Sequence, residues 1–200
     1  MQSVYSAFLD ESSALRSENR QEYLVCAAII PQESAEEIRE SLLPLRLKGQ
    51  IKLHWSDEDE SRRRKIVSTI AELTPMTAVV THISQPQKKT EHFRRKCLET
   101  IYYELCGMGI HQLTCESRTE SQNKKDIAHL LTLRQRKLVL PQFDISHCRG
   151  GDDPLLWIPD VFLGAINARH KGVNEHYEAL KDFVVYDAVT EGSLLNSERP

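Results

Sequence analysis

Two stretches of this chain are apolar at consecutive positions, and they constrain its fold more tightly than any other feature. Residues 4–9 (Val4-Tyr5-Ser6-Ala7-Phe8-Leu9) and 23–30 (Tyr23-Leu24-Val25-Cys26-Ala27-Ala28-Ile29-Ile30) carry apolar side chains on both alternating faces. A strand solvated on one side alternates polar and apolar residues, whereas one apolar on both faces needs a covering layer above and below. The two stretches therefore read as neighbouring central strands, joined as a hairpin through a polar connection over 12–21. A helix opens at Ser34-Ala35-Glu36-Glu37 and is interrupted at Pro44. After a short segment at 51–55, Asp57-Glu58-Asp59-Glu60 precede Arg62-Arg63-Arg64-Lys65 in a helix whose apolar face is Ile66, Ile70 and Leu73. Strands at 77–83, 110–116 and 142–147 then alternate with helices at 88–108, 123–137 and 160–171. Strands first, then helix-linked strands, suit a mixed sheet with helices on both faces. One domain over 1–185 and a polar tail over 186–200 are expected.

The first strand runs into Asp10-Glu11-Ser12. Period-two alternation sends Asp10 to the face of Phe8 and Ser6, and Glu11 to the face of Leu9 and Ala7. Asp160 follows Pro159 at the expected start of the last strongly apolar helix, where unpaired amides and the helix dipole favour a carboxylate. Gly164, Ala165 and Ala168 are small enough to let that helix lie close to the sheet. Glu116 ends the 110–116 strand and can leave the sheet at the same mouth as Asp10 if the two strands run parallel. Asp144, Asp152 and Asp153 compete for a further ligand position. Carboxylates without soft-ligand spacing favour Mg²⁺ or Mn²⁺ over zinc. His54, in Lys52-Leu53-His54-Trp55, and His147 are candidates for phosphate binding or proton transfer.

These motifs, in this order, resemble an uncharacterised bacterial family of the ribonuclease-H-like superfamily. The shared features are Asp-Glu-Ser on a first strand, Glu116-Ser117-Arg118 with a later Asp126, and a late Leu155-Leu156-x-x-x-Asp160-x-x-x-Gly164-Ala165 helix. Ser13 stands where many members have glycine, and Ile158-Pro159 where alanine is common. The resemblance implies a ribonuclease-H-like α/β domain and a divalent-metal-dependent nuclease. It makes Asp10 the lead carboxylate, with Glu116 and Asp160 as the other metal ligands of a site for two ions of Mg²⁺ or Mn²⁺. Arg118, Lys52 and His54 are the expected substrate-binding residues, and Glu11, Asp126, Asp144 and His147 the accessory candidates. The alternatives are an inert binding module of the same fold and a hydrolase of a small phosphoester.

Composition narrows the partners. With 26 basic and 29 acidic residues and a net charge of −3, bulk electrostatics do not attract a polyanion, so nucleic acid must be held by a local patch or by metal. The basic runs at 94–96 and 134–137 are candidates for backbone contact, whereas 62–65 is matched by the acids before it. Neither RNA nor DNA is singled out. The cysteines, 5 in number, include no Cys-x-x-Cys pair and mostly lie in apolar runs, so reduced thiols in a cytoplasmic setting are expected. No apolar run reaches the roughly 18 residues of a membrane span.

Overall fold

The computed structural model describes residues 3–88 and 90–194. At its centre, β1 (Tyr5–Ser17) and β2 (Arg20–Pro31) form an antiparallel hairpin, from Tyr5 opposite Pro31 to Ser17 opposite Arg20. β3 (Met76–Ser84) pairs antiparallel with β2. β4 (Gln112–Glu116) lies parallel to β1, β5 (Asp144–Cys148) parallel to β4, and β6 (Val184–Val189) parallel to β3. The resulting order is β5-β4-β1-β2-β3-β6. The α-helices among the described residues are α1 (Ala35–Leu42), α2 (Glu60–Glu72), α3 (Glu91–Gly107), α4 (Glu120–Gln135), α5 (Trp157–Arg169) and α6 (Glu175–Leu180). A mixed sheet with helices on both faces is the α/β arrangement expected from the sequence.

The pleat of the hairpin divides the core in two. Phe8, Leu24, Cys26, Ala28 and Ile30 face α1, α2, α5 and α6, while Ala7, Leu9, Val25, Ala27 and Ile29 face α3 and α4. Each large aliphatic or aromatic side chain so covered stabilises the fold by roughly 1.5–3 kcal/mol. Every residue of α5 from Trp157 to Ala165 is buried, as befits a helix that is apolar all round. It lies against β1 and β2 beneath α6 and the segment that follows α1. On the other face α3 ends at Gly107, and Gly109, at φ 74°, lets the Ile110 amide turn back to the Leu105 carbonyl at 2.9 Å.

Three features differ from the sequence reading. The polar stretch after Asp10 stays in the sheet, because backbone pairing continues to Ser17 while Ser13, Leu15 and Ser17 face solvent. Asp10 and Glu11 are thus inside a long strand and not at its end. α5 begins at Trp157, which puts Asp160 in its first turn. The expected tail from residue 186 instead enters the sheet: β6 runs to Val189, and the Thr190 and Leu194 amides bond to the Thr81 and Ile83 carbonyls at 2.9 Å. Pairing with β3 holds this segment at the sheet edge; 195–200 lie outside the described residues. Among the described residues no helix is long and apolar enough to cross a membrane.

All the cysteines are free, and Cys26, Cys97 and Cys115 are buried. Burial pushes the Cys97 thiol up to about 12 and those of Cys26 and Cys115 higher still. Iodoacetamide at neutral pH should therefore leave these three unmodified in the native protein. After denaturation without reductant, mass spectrometry should find every cysteine alkylated; a protected pair would reveal a disulfide.

Candidate active site

β1 and β4 run side by side and parallel, with Ala7, Phe8 and Leu9 opposite Leu113, Thr114 and Cys115. One residue further along each strand stand Asp10 and Glu116. Because Leu113 and Cys115 turn into the α3/α4 core, the pleat points Glu116 to the other face, where Asp10 also points. α5 packs on that face and contributes Asp160. The three carboxylates line one cleft of about 380 Å³, together with Lys52, His54, Arg118 and Gly164.

The segment between α1 and α2 closes one side of this cleft. The Lys52 ammonium is paired with Glu116 Oε1. His54 Nδ1 lies 3.2 Å from Asp160 Oδ1, and the Trp55 amide donates to Asp160 Oδ2 at 2.7 Å. Gly164, one helical turn beyond Asp160, provides the seat for Trp55: a Cβ there would lie 2.1 Å from the indole Cγ. Arg63 stacks over the same ring at 5.0 Å and donates to the Trp55 carbonyl at 3.2 Å. Asp160 is thus oriented by a fixed backbone amide, while Glu116 is oriented by a lysine.

The site has a deficit of positive charge. Burial, followed by repulsion from Asp160 and Glu116, pushes the Asp10 carboxyl up to about 8, against the weaker opposing pull of the Glu11 amide and Lys52. The hydrogen bond to Asp160 is the main reason that His54 lies above its ordinary value. Burial pulls Lys52 down, but Glu116, Asp10 and Asp160 together outweigh it and raise the ammonium. As a set, the ligand oxygens of Asp10, Glu116 and Asp160 do not close to within 4.8 Å of one another; among the described residues the trio that does is Glu60, Glu175 and His176. That trio joins α2 to α6 and already has its cation, since Arg64 pairs with Glu175 at 3.1 Å and lies 3.8 Å from Glu60.

Of the accessory candidates, Glu11 borders the cleft together with Arg94, while Asp126, Asp144 and His147 are not among its lining residues. Glu11 points to the opposite face of the sheet, where Arg94 bonds to it at 2.7 Å and grips Asp126 with both terminal nitrogens at 2.6 and 3.0 Å. His147 Nε2 lies 3.1 Å from Asp126 Oδ2. Burial would raise Asp126, but the bonds from His147 and Arg94 prevail and hold it at about 2. Asp126 sits within α4 and does not open it; Thr119 and Gln122 form the cap. Arg118 bridges the two regions, lining the cleft while lying 3.3 Å from Asp126 and 3.5 Å from Glu91. Asp144 is exposed and paired with Arg134 at 3.1 Å, away from the cleft. Asp153 caps the turn before α5 and holds Arg39. Sequence reasoning missed the Trp55 amide, for which no signal exists in side-chain identity, and Gly150, which the Gly150-Gly151 pair does signal. A Cβ at Gly150 would lie 2.7 Å from Glu116 Oε1 and 2.8 Å from Lys52 Cδ.

The chain matches no family model and no curated protein sequence. It is similar to several solved structures at low identity. One is the RNase HII of a PCNA:RNase HII complex from Archaeoglobus fulgidus, at 12% identity and TM-score 0.39, covering 90% of this chain and 81% of that one. Two others are Bst-RNase HIII, once as a point mutant (9%, TM-score 0.37) and once in complex with Mn²⁺ (9%, TM-score 0.38). Each covers 88% of this chain, which spans 62% of theirs. No residue role is carried across at these values.

Two outcomes test this electrostatic picture. In the metal-free protein Asp10 takes up its proton more readily folded than unfolded, so its contribution to stability is full below the ordinary 3.8 and is lost as pH rises through about 8. The melting temperature of Asp10→Asn relative to wild type should therefore climb across that window in thermal melts with EDTA; a flat difference would refute the raised carboxyl. Arg94→Met strands Asp126 and Glu11 on the other face. It should cost roughly 3–5 kcal/mol in urea unfolding, the scale of removing one partner of a buried pair.

Proposed function

We propose that this chain is a divalent-metal-dependent phosphodiester hydrolase of nucleic acid in which Asp10, Glu116 and Asp160 hold Mg²⁺ or Mn²⁺. One observation carries the reading: Asp10, half-buried, lines a single cleft with two further carboxylates, and the groups around it leave it pushed up to about 8. A purely structural site would not gather three acids from β1, β4 and α5 at one cleft and leave them short of positive charge. The donor set is all carboxylate oxygen, which suits a hard cation. A divalent ion there would supply water activation and stabilisation of the leaving oxygen during in-line displacement.

The remaining tasks fall to the chain itself. The Trp55 amide and His54 hold Asp160, Lys52 holds Glu116, and the Glu11 amide holds Asp10 Oδ1 at 2.8 Å. In hydrolysis the water oxygen forms a bond to phosphorus as the bond to the departing sugar oxygen breaks; the water loses a proton and the departing oxygen gains one. His54, 42% exposed in its side chain and hydrogen-bonded to Asp160, is the group placed to exchange such a proton with solvent. Arg118 stands at the cleft to meet a phosphate.

A small phosphoester is the second reading, favoured by the state of the basic runs. Arg62 is paired with Glu58 at 2.9 Å, Arg64 with Glu175 at 3.1 Å, Arg94 with Glu11 and Asp126, and Arg134 with Asp144 at 3.1 Å. These pairings reduce the positive charge that the runs offer to a polyanion. Labelled RNA, DNA, RNA–DNA hybrid and small phosphodiesters, each with Mg²⁺, Mn²⁺ or EDTA, separate the readings. Polynucleotide cleavage abolished by EDTA is expected. Asp10→Asn and Asp160→Asn should each lower turnover by at least about 100-fold, the scale of losing a group that stabilises developing charge, while the circular dichroism stays unchanged. Wild-type cleavage by both variants, or cleavage indifferent to EDTA, would refute the assignment. Failure to bind either metal would favour an inert module.

A further inference from the structure

Lys52 is the one lysine among the residues lining the cleft, and its position is built. The ammonium rests on Glu116 Oε1, and Gly150 leaves the space for that contact: a Cβ at 150 would come within 2.7 Å of Glu116 Oε1 and 2.8 Å of Lys52 Cδ. Gly151 does the same for the chain beside it, since a Cβ there would lie 2.7 Å from Ile51 Cγ2 and 2.9 Å from the Ile51 carbonyl oxygen. The far end of the segment is clamped by the bonds of His54 and Trp55 to Asp160. Lys52 is therefore held on both sides and directed at the carboxylate cluster. Asp10 and Asp160 add to the pull of Glu116 on its charge.

The two glycines have no other evident role at this point of contact, and a lysine free in solvent would need neither. An ammonium is a compact point charge with three donors, so it can stand where a small cation would stand. The arrangement agrees, because Asp10, Glu116 and Asp160 are not among the described trios whose ligand atoms all lie within 4.8 Å of one another, and Glu116 already has its cation. We infer that Lys52 permanently occupies the position of a second divalent ion, so that the site binds a single ion at Asp10 and Asp160 and uses the Lys52 ammonium as its other positive centre. This rests on the metal-dependent reading above and replaces its two-ion expectation with a single ion and a lysine.

The test is the stoichiometry of Mn²⁺ on the full chain, by titration calorimetry and by the electron paramagnetic resonance signal of free Mn²⁺, for wild type, Lys52→Met, Lys52→Arg and the double variant Lys52→Met/Glu116→Gln. A single ion is expected for wild type and for Lys52→Arg, which keeps the charge. Lys52→Met should gain a second, weaker ion, and the double variant should lose it again. Cleavage by wild type should rise hyperbolically with Mn²⁺, whereas Lys52→Met should lose on the order of 100-fold at low Mn²⁺ and recover sigmoidally as the ion is raised. Two ions on wild type, or a single ion on a folded Lys52→Met with no change in the shape of its metal dependence, would overturn the inference while leaving the metal-dependent hydrolase intact. No Mn²⁺ on wild type would overturn that reading itself, and this inference with it. Should Lys52→Met fail to fold, Gly150→Ala, which displaces the pair without removing a charge, serves in its place: an added Mn²⁺ ion supports the inference, and an unchanged single ion overturns it.

Discussion

The pleat of β1 governs the electrostatics of this molecule. Adjacent residues of a strand point to opposite faces, so Asp10 and Glu11, neighbours in the chain, belong to two separate electrostatic systems. Asp10 joins Glu116 and Asp160 in an open cleft with too little positive charge. Glu11 joins Arg94, Asp126 and His147 in a network whose bonds are short and reciprocated. A slip of β1 by one residue would exchange these roles and also turn the apolar sets of both cores the wrong way. The long register shared with β2, from Tyr5 to Ser17, opposes that slip.

The two systems differ in how they treat buried charge. On the α3/α4 face, Arg94 is 3% exposed and satisfies two carboxylates at once, and Asp126 is driven down to about 2. That is the behaviour of a structural ion cluster, in which desolvation is offset by bidentate geometry. On the α5 face, Asp10 is driven up to about 8. Burial acts on both; what differs is the presence of a matched cation. Under the proposed function, the contrast gives Glu11, Asp126 and His147 a scaffolding part and the carboxylates of the other face the chemistry. Arg118, which touches both systems, ties the rim of the cleft to the scaffold.

Small residues decide how closely the parts of the cleft approach. Gly164 admits the Trp55 indole, whose amide then reaches Asp160, and Gly150 admits the Lys52–Glu116 pair. Both contacts come from the segment between α1 and α2, which has little regular structure of its own and is held by these seats and by Arg63. The carboxylates sit on rigid strands and a buried helix, while the groups that orient two of them sit on a fastened loop. Such a division suits a site that must hold its shape when charge changes within it.

Much of the architecture was legible in the chain. Consecutive apolar positions at 4–9 and 23–30 required two covering layers, and alternation separated Asp10 from Glu11, because these follow from local periodicity. The polar arm of the hairpin was read as a loop, since pairing along a backbone ladder leaves no mark in side-chain polarity, whereas β6, Val184-Val185-Tyr186-Asp187-Ala188-Val189, carried a β-branched signal that the polar residues after it obscured. Pairwise meetings across the fold were likewise beyond local sequence. That Lys52 meets Glu116, that a backbone amide at Trp55 grips Asp160, and that Asp126 meets both Arg94 and His147 on the far face depend on which segments pack together, and only the tertiary structure decides that. Sequence determines the direction in which each side chain leaves its own element; distance and desolvation, which set the charge of a carboxylate, exist only once the elements are assembled.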